Sequence, residues 1–477
     1  MKNIAQLWDD SIVPAITEYI RIPAKSPHFD RDWQQHGYIE AALQLAVKWC
    51  EANPLRGMKL EVIRLQGRTP VLFVEVEGKT PETVLIYGHL DKQPEMTGWH
   101  EGYGPWQPRM VDGRLYGRGG ADDGYAVFCA FAAIKALQEE GRPHARCVIL
   151  IECCEESGSY DLPAYLEHLS KRIQKPDFVV GLDSGCGNYR QMWGTTSLRG
   201  LLNGVLTVEV LTEGVHSGDA SGVVPTSFRI ARQLIDRVDN AATGMVKERA
   251  FHAPIPAQRK TQAKRAAAVL GKEIWRKFPF AGGTKPMHKD LAELVLNRTW
   301  RPMLAVTGAD GLPALANAGN VLRPKTQLQL SLRLPPTVDA PSAGKRMKKL
   351  LEKNPPYGAK VSYEYGQAGT GWHSPQLAPW LEQSVDAASR KHYGKPAMWM
   401  GEGGTIPFMA MLGVKFPQAQ FLITGVLGPH SNAHGPNEFL HIDYAKKLTA
   451  CVADVLSAHA ARDQGTRAGP APRSARR

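Results

Sequence analysis

Among the side chains whose types bind divalent metals or move protons, eight stand out by their setting: His89, Asp91, Asp122, Glu155, Glu156, Asp183, His216 and His434. Taken singly, an imidazole or carboxylate at a strand end is most often a cap or a solvated surface group. Their joint setting carries the meaning. Four segments, YGHLDKQP, GRGGADDG, CCEESGS and VVGLDSG, each place such a group directly after an apolar run or in a glycine-rich turn, and VLGPHSNAHGPNE does so again late in the chain. Imidazole and carboxylate without thiolate suit zinc, manganese or cobalt rather than an iron-sulfur cluster or a thiolate zinc site. Separations of 33, 34, 27 and 251 residues along His89, Asp122, Glu156, Asp183 and His434 exclude a local finger. The fold has to assemble the site, and open, carboxylate-rich sites of that kind are usually catalytic. Charge balance points to two ions: Asp122, Glu156 and Asp183 supply three negative charges, a bridging hydroxide a fourth, and two divalent cations neutralise all four.

These groups need a scaffold. Between Pro81 and Asp183 the runs TVLIYGHLD, YAVFCAFAAIKALQEEG, CVILIECCEE, LPAYLEHLSKRI and FVVGLDSG alternate strand, helix, strand, helix, strand. That is the α/β pattern of a mixed, mostly parallel sheet covered by helices, in which ligands bind beyond the carboxyl ends of the strands. Each strand run ends in polar groups: His89 and Asp91, Glu155 and Glu156, Asp183. Adjacent Glu155 and Glu156 would point to opposite faces of a continuing strand, so both reach one site only if the strand has ended in a turn, and Ser157, Gly158 and Ser159 suit one. From about residue 200 the texture changes to alternating strands (LLNGVLTVEV, TQLQLSLRLP, KVSYEYG) and amphipathic helices (SFRIARQLIDRV, SAGKRMKKLLEKN), the pattern of an inserted α+β domain. The expected division is 1–199 with 371–461 for the first domain, 200–370 for the insertion, and 462–477 for a disordered basic tail.

Composition narrows the classes further. The 477 residues carry 58 Lys+Arg against 46 Asp+Glu, a net +12, which raises the question of nucleic acid. Five Arg against one Asp in the Pro/Gly-rich tail account for +4 of it, and the basic run 258–277 has the spacing of a solvated helix face. Neither comes with a nucleic-acid module. Apolar runs such as Thr83–Tyr87 fall far short of the roughly 18 residues that cross a bilayer, and the amphipathic N-terminus lacks a signal-peptide layout. A cytoplasmic chain without membrane or nucleic-acid partner is expected. Seven Cys with no C-x-x-C pair indicate neither a disulfide framework nor a thiol metal knuckle.

Taken together, HLDKQP, GRGGADDG, EESGS, VHSGD and GEGGTIP resemble the dizinc metallopeptidase family that includes carnosinase, cytosolic nonspecific dipeptidase, aminoacylase and glutamate carboxypeptidases, most of all its nonspecific dipeptidase branch. The resemblance implies that His89 and Asp183 bind one metal, Glu156 and His434 the other, and that Asp122 bridges them. Zinc is the expected ion, with manganese or cobalt as alternatives. Asp91 would accept the other N–H of His89, Glu155 would be the general base that takes a proton from the bridging hydroxide's water, and His216 would stabilise the oxyanion. Arg333 would pair with a substrate carboxylate, helped by Asn320, Gly403, Gly404, Thr405 and Thr195. The implied activity is hydrolysis of dipeptides or similar small substrates with a free carboxylate, in a homodimer built through the inserted lid domain. Two alternatives accompany it: an N-acyl amino acid deacylase with the same site, and a catalytically silent binding or scaffold relative. Lys92, and Asp123 with Gly124, depart from the family pattern. Both are expected to flank the pocket and to bear on substrate range.

Overall fold

The apolar runs that end in candidate ligands become the centre of a sheet. The computed structural model describes residues 2–462, so the tail expected at 462–477 lies outside the described residues except for Arg462. Within them the chain forms two compact units, 2–196 with 374–400 and 411–462, and 197–373 with 401–410. The segment Gly401–Ala410, expected with the first domain, clusters with the second unit.

In the first unit the strands run in spatial order Met58–Ile63, Val71–Val76, Ala145–Glu152, Thr80–His89, Phe178–Gly181, Gln420–Ile423, Trp193–Leu198. The middle four are mutually parallel, and antiparallel strands close either side. Register decides where the ligands land. His89 pairs with Glu152, Tyr87 with Gly181, and Gly181 with Ile423, so the four parallel strands stop at one edge and the loops after them start there. Their near-continuous apolar sequences follow from cover on both faces. The helix Tyr125–Glu139 is buried almost along its whole length, and the final helix Ile442–Ala461 buries fourteen residues. Trp8 Nε1 donates to Thr449 Oγ1 at 3.0 Å and ties the N-terminal helices to that last helix.

The second unit is a four-stranded antiparallel sheet, in order Met303–Asp310, Lys325–Leu334, Gly200–Glu209, Lys360–Gly369. Alternating burial along Gly200–Glu209 and Lys325–Leu334 turns Leu202, Leu206, Leu330 and Leu332 into a core with Ile230 and Leu234 of the helix Ser227–Ile235 and Met347 and Leu351 of the helix Ala340–Glu352. Each such buried side chain contributes about 1.5–3 kcal/mol. The seven cysteines are free and buried. Among the described residues no helix is long and apolar enough to cross a membrane.

Candidate metal centre

The sheet edge gathers the five expected ligands. His89 is the last residue of its strand and completely buried; its Nε2 lies 3.4 Å from Asp122 Oδ1 and 3.9 Å from Asp183 Oδ2. His434 Nε2 lies 3.1 Å from the other Asp122 oxygen and 3.2 Å from Glu156 Oε2. Two ligand sets result, His89 with Asp122 and Asp183, and Asp122 with Glu156 and His434, the atoms of each within 4.8 Å of one another. Asp122 belongs to both.

The donor set suits divalent cations by geometry and by chemistry. Ligand atoms about 2.0–2.1 Å from a tetrahedral ion lie about 3.3 Å apart, close to the separations seen. The buried His89 Nε2 has no hydrogen-bond partner, which is how an imidazole lone pair kept for a metal looks. Electrostatics agree. Burial alone would raise Asp122, yet His434 and His89 hold it well below the usual carboxylate range. Burial pushes Glu155 and Glu156 far above that range, with Asp183 adding to the first and Asp122 to the second. Burial would lower His89, but the Asp122 and Asp91 carboxylates hold its imidazole well above the ordinary value. So many crowded carboxylates cannot all ionise without added positive charge.

Several of the candidate ligands are held from behind. The strand Ala145–Glu152 has ended before Glu155, and a single 3-10 turn, Glu155–Ser157, carries both glutamates. Asp91 is buried and fixes that turn: one carboxylate oxygen accepts from Glu155 N at 3.0 Å, the other from Glu156 N at 2.9 Å. Its backbone carbonyl is the nearest acceptor for His89 Nδ1, at 3.1 Å, with the carboxylate at 3.5 Å. A proton on Nδ1 leaves Nε2 to face the ligands. Gln93 Nε2 donates to Glu156 Oε2 at 2.5 Å.

Asp122 sits in the turn after Gly119, whose φ is +83° and where a Cβ would lie 2.7 Å from the Lys92 side chain, so only glycine fits. Glu438 anchors this turn. It is wholly buried, and one oxygen faces the amides of Gly119, Ala121 and Asp122 at 3.0, 3.3 and 3.3 Å while the other takes Arg118 Nη1 at 2.7 Å. Arg118 in turn donates to the Gly435 carbonyl at 2.7 Å, beside His434. Sequence reasoning passed over both residues; the only signal was an acid closing the NAHGPNE run that also carries His434. Asp123 is buried too, and accepts from His89 N at 3.3 Å.

Lys92 does something other than flank a pocket. Completely buried, it donates to the carbonyls of Tyr19 and Ile22 at 2.7 and 2.8 Å, closing the end of the helix Val13–Arg21, and its Nζ lies 3.9 Å from the centre of the Tyr19 ring. Burial pushes its ammonium well below the usual lysine range.

The remaining candidates separate by unit. Thr195 is in the first, buried, its hydroxyl 2.8 Å from that of Ser184. His216 and Asn320 meet in the second: Val215–His216 pairs with Val321–Leu322, and the Asn320 carbonyl accepts from Ser217 N at 2.9 Å. The His216 ring is exposed and accepts from Gly218 N at 3.2 Å. Elsewhere in that unit Arg333 Nη1 donates to Thr405 Oγ1 at 3.3 Å, Thr405 Oγ1 donates to the Arg199 carbonyl at 2.6 Å, and the Gly403 carbonyl takes Arg199 Nε at 3.4 Å. Gly404 lies in the same turn, with open space where a Cβ would be.

Comparison with known proteins gives a consistent result. A cysteinylglycine-S-conjugate dipeptidase of Corynebacterium striatum is 27% identical over 416 residues, 84% of this chain and 88% of its own. The beta-Ala-His dipeptidase of Homo sapiens is 24% identical over 411 residues, 82% of this chain and 78% of its own. Among solved structures, the dipeptidase Dug1p of Saccharomyces cerevisiae shares the fold with a TM-score of 0.77 at 20% identity, over 97% of this chain and 98% of its own. Human carnosine dipeptidase 1 does so with a TM-score of 0.74 at 20% identity, over 96% and 99%. Residues 85–458 match the family described as Peptidase family M20/M25/M40. Since that match spans most of the chain and takes in all five candidate ligands, the chain belongs to peptidase family M20/M25/M40 and is a metallopeptidase.

Proposed function

We propose that this metallopeptidase hydrolyses the amide bond of dipeptides or similar small substrates with a free carboxylate, using two divalent metals held by His89 and Asp183, by Glu156 and His434, and by Asp122 between them. The observation that carries the reading is the Asp122 carboxylate, with one oxygen turned toward each histidine. Zinc is the ion we favour; bound there, divalent metals supply Lewis acidity to the scissile carbonyl and make water acidic enough to attack near neutral pH. The chain's own residues do the rest. Asp91 holds the Glu155–Glu156 turn so that Glu156 faces Asp122 while Glu155, in neither ligand set, is free to take a proton and return it to the leaving nitrogen. By resemblance, His216 stabilises the oxyanion, and Arg333, with Asn320, Gly403, Gly404, Thr405 and Thr195, binds substrate. The same reading has a cytoplasmic homodimer built through the second unit.

The test is metal content and hydrolysis of a panel of dipeptides and N-acetyl amino acids by wild type and Glu155→Gln after reconstitution with zinc or manganese. The expected result is two metals per chain in both proteins, dipeptide cleavage by wild type, and a kcat in the variant about 10²–10⁴-fold lower. Preference for the acetylated compounds would replace the peptidase reading by a deacylase. One metal per chain, or a fully active variant, would overturn the dinuclear site or the base.

A further inference from the structure

The second unit holds a cavity of about 240 Å³ that the hydrolytic reading does not use. It lies below the roughly 300–1,000 Å³ of drug-sized sites and suits a ligand of single amino-acid size. Its wall is mostly apolar: Ile274 and Trp275 from the short helix Glu273–Arg276, Phe278 and Phe280 from the loop after it, Met287, and Leu294 from the helix Leu291–Thr299. Trp275 and Phe280 pack edge to face with centroids 5.9 Å apart. Three of these side chains are open to solvent, Phe278 at 49%, Phe280 at 38% and Met287 at 62%. Large apolar groups clustered so exposed around a concavity mark a binding surface.

One side of the cavity is cationic. Arg199 lines it at only 8% exposure. Its Nε and Nη1 donate to the carbonyls of Gly403, Asn297 and Arg301 at 3.4, 3.1 and 3.2 Å, and among the described residues no carboxylate pairs with the group. Burial, with Arg333 and Arg298 as its charged neighbours, pushes Arg199 down to about 9. The contrast with Arg118 is instructive. That guanidinium, at 1% exposure, is paired with Glu438. A buried guanidinium held only by neutral carbonyls and flanked by like charge is unfavourable until an anion joins it.

We propose that this cavity binds a monocarboxylate carrying an aromatic or branched aliphatic group, its carboxylate on Arg199 and its apolar group among Trp275, Phe278 and Phe280. A planar guanidinium receives a carboxylate through paired hydrogen bonds, and the aromatic walls take the hydrocarbon. The site involves the second unit alone and stands whether or not the metal centre cleaves dipeptides.

The probes are 3-phenylpropionate, 3-phenylpropan-1-ol and propionate, titrated calorimetrically into the full chain, metal-free, as wild type, as Asp122→Ala and as the double variant Phe278→Ser/Phe280→Ser. The expected result is saturable binding of 3-phenylpropionate to wild type and equally to Asp122→Ala, at least tenfold weaker binding of the alcohol and of propionate, and at least a tenfold loss in the double variant. The three-ligand comparison needs no substitution, so it decides the matter even if the double variant folds poorly. No saturable binding into the millimolar range, an alcohol that binds as well as the acid, or binding lost in Asp122→Ala would each overturn the proposal. So would unchanged affinity in a folded double variant.

Discussion

Glu438→Gln removes one charge from the metal centre's surroundings without changing shape, and its consequences follow from the hydrogen bonds around it. The carboxylate is fully buried, with one oxygen toward the amides of Gly119, Ala121 and Asp122 and the other on Arg118. A glutamine has one accepting edge and one donating edge. With its oxygen toward the amides, its NH₂ meets the Arg118 guanidinium, donor against donor; flipped, the NH₂ meets three backbone N–H groups. The first arrangement is the milder, and it still leaves a buried arginine without its counter-charge, a loss of about 3–5 kcal/mol. Against a total stability of about 5–15 kcal/mol this is large. At about 2–4 °C per kcal/mol it corresponds to a fall in Tm on the order of 10 °C. Asp443→Asn gives the scale for a surface pair: Asp443 and Lys447 lie one helical turn apart and half exposed, and their separation costs about 0.5 kcal/mol or less. Because Glu438 anchors the Asp122 turn and Arg118 holds the carbonyl beside His434, metal affinity should fall about 10–100-fold as well. Thermal unfolding of the chelated protein measures the first effect, and competition with a metal-binding dye the second. A chelated variant that melts within about 2 °C of wild type and binds metal as tightly would refute the account of Glu438 as the brace of the site.

Two further outcomes follow from charged groups elsewhere in the first unit. Lys92→Met deprives the Tyr19 and Ile22 carbonyls of their donor and should lower stability by about 1–3 kcal/mol while leaving the ratios of kcat/KM among dipeptides unaltered; a changed substrate ranking with an unchanged Tm would return Lys92 to the pocket. Asp454 accepts from His392, Lys391 and Arg142 at 2.7, 2.9 and 2.8 Å, and although burial opposes its ionisation, these partners hold the carboxyl well below the ordinary range. A folded value below the unfolded one, about 3.9, means stabilisation that is complete at neutral pH and is lost as pH falls through the folded value. Asp454→Asn should therefore be less stable than wild type by about 1–3 kcal/mol at pH 7, with the gap closing below about pH 4. Urea denaturation at a series of pH values checks this, and a gap that persists unchanged to pH 3 contradicts it.

What the sequence revealed and what it concealed divide along a physical line. His89, Asp183 and the Glu155–Glu156 pair were legible because each follows an apolar run, and parallel strands in register must stop at a common edge. The need for a turn at Glu155 was legible as well, since side chains alternate along a strand. Asp91 was half legible. Its nearness to His89 follows from two residues of separation, but that its carboxylate would reach the amides at 155 and 156 depends on how two loops fold against each other. Lys92 misled for the same reason: three residues after His89 in sequence, it turns the other way, onto a helix end some seventy residues back. Glu438 and Arg118 lie 320 residues apart, and each alone reads as an ordinary surface charge. Arg199 differs in kind, because its meaning lies in the absence, among the described residues, of a carboxylate paired with it, and an absent pair leaves no mark on a sequence. Of the candidate ligands, His89, Glu156 and Asp183 end or follow strands and show in the pattern of apolar runs. Groups that brace the ligands, or wait for an anion, are defined by long-range partners and had to be found in three dimensions.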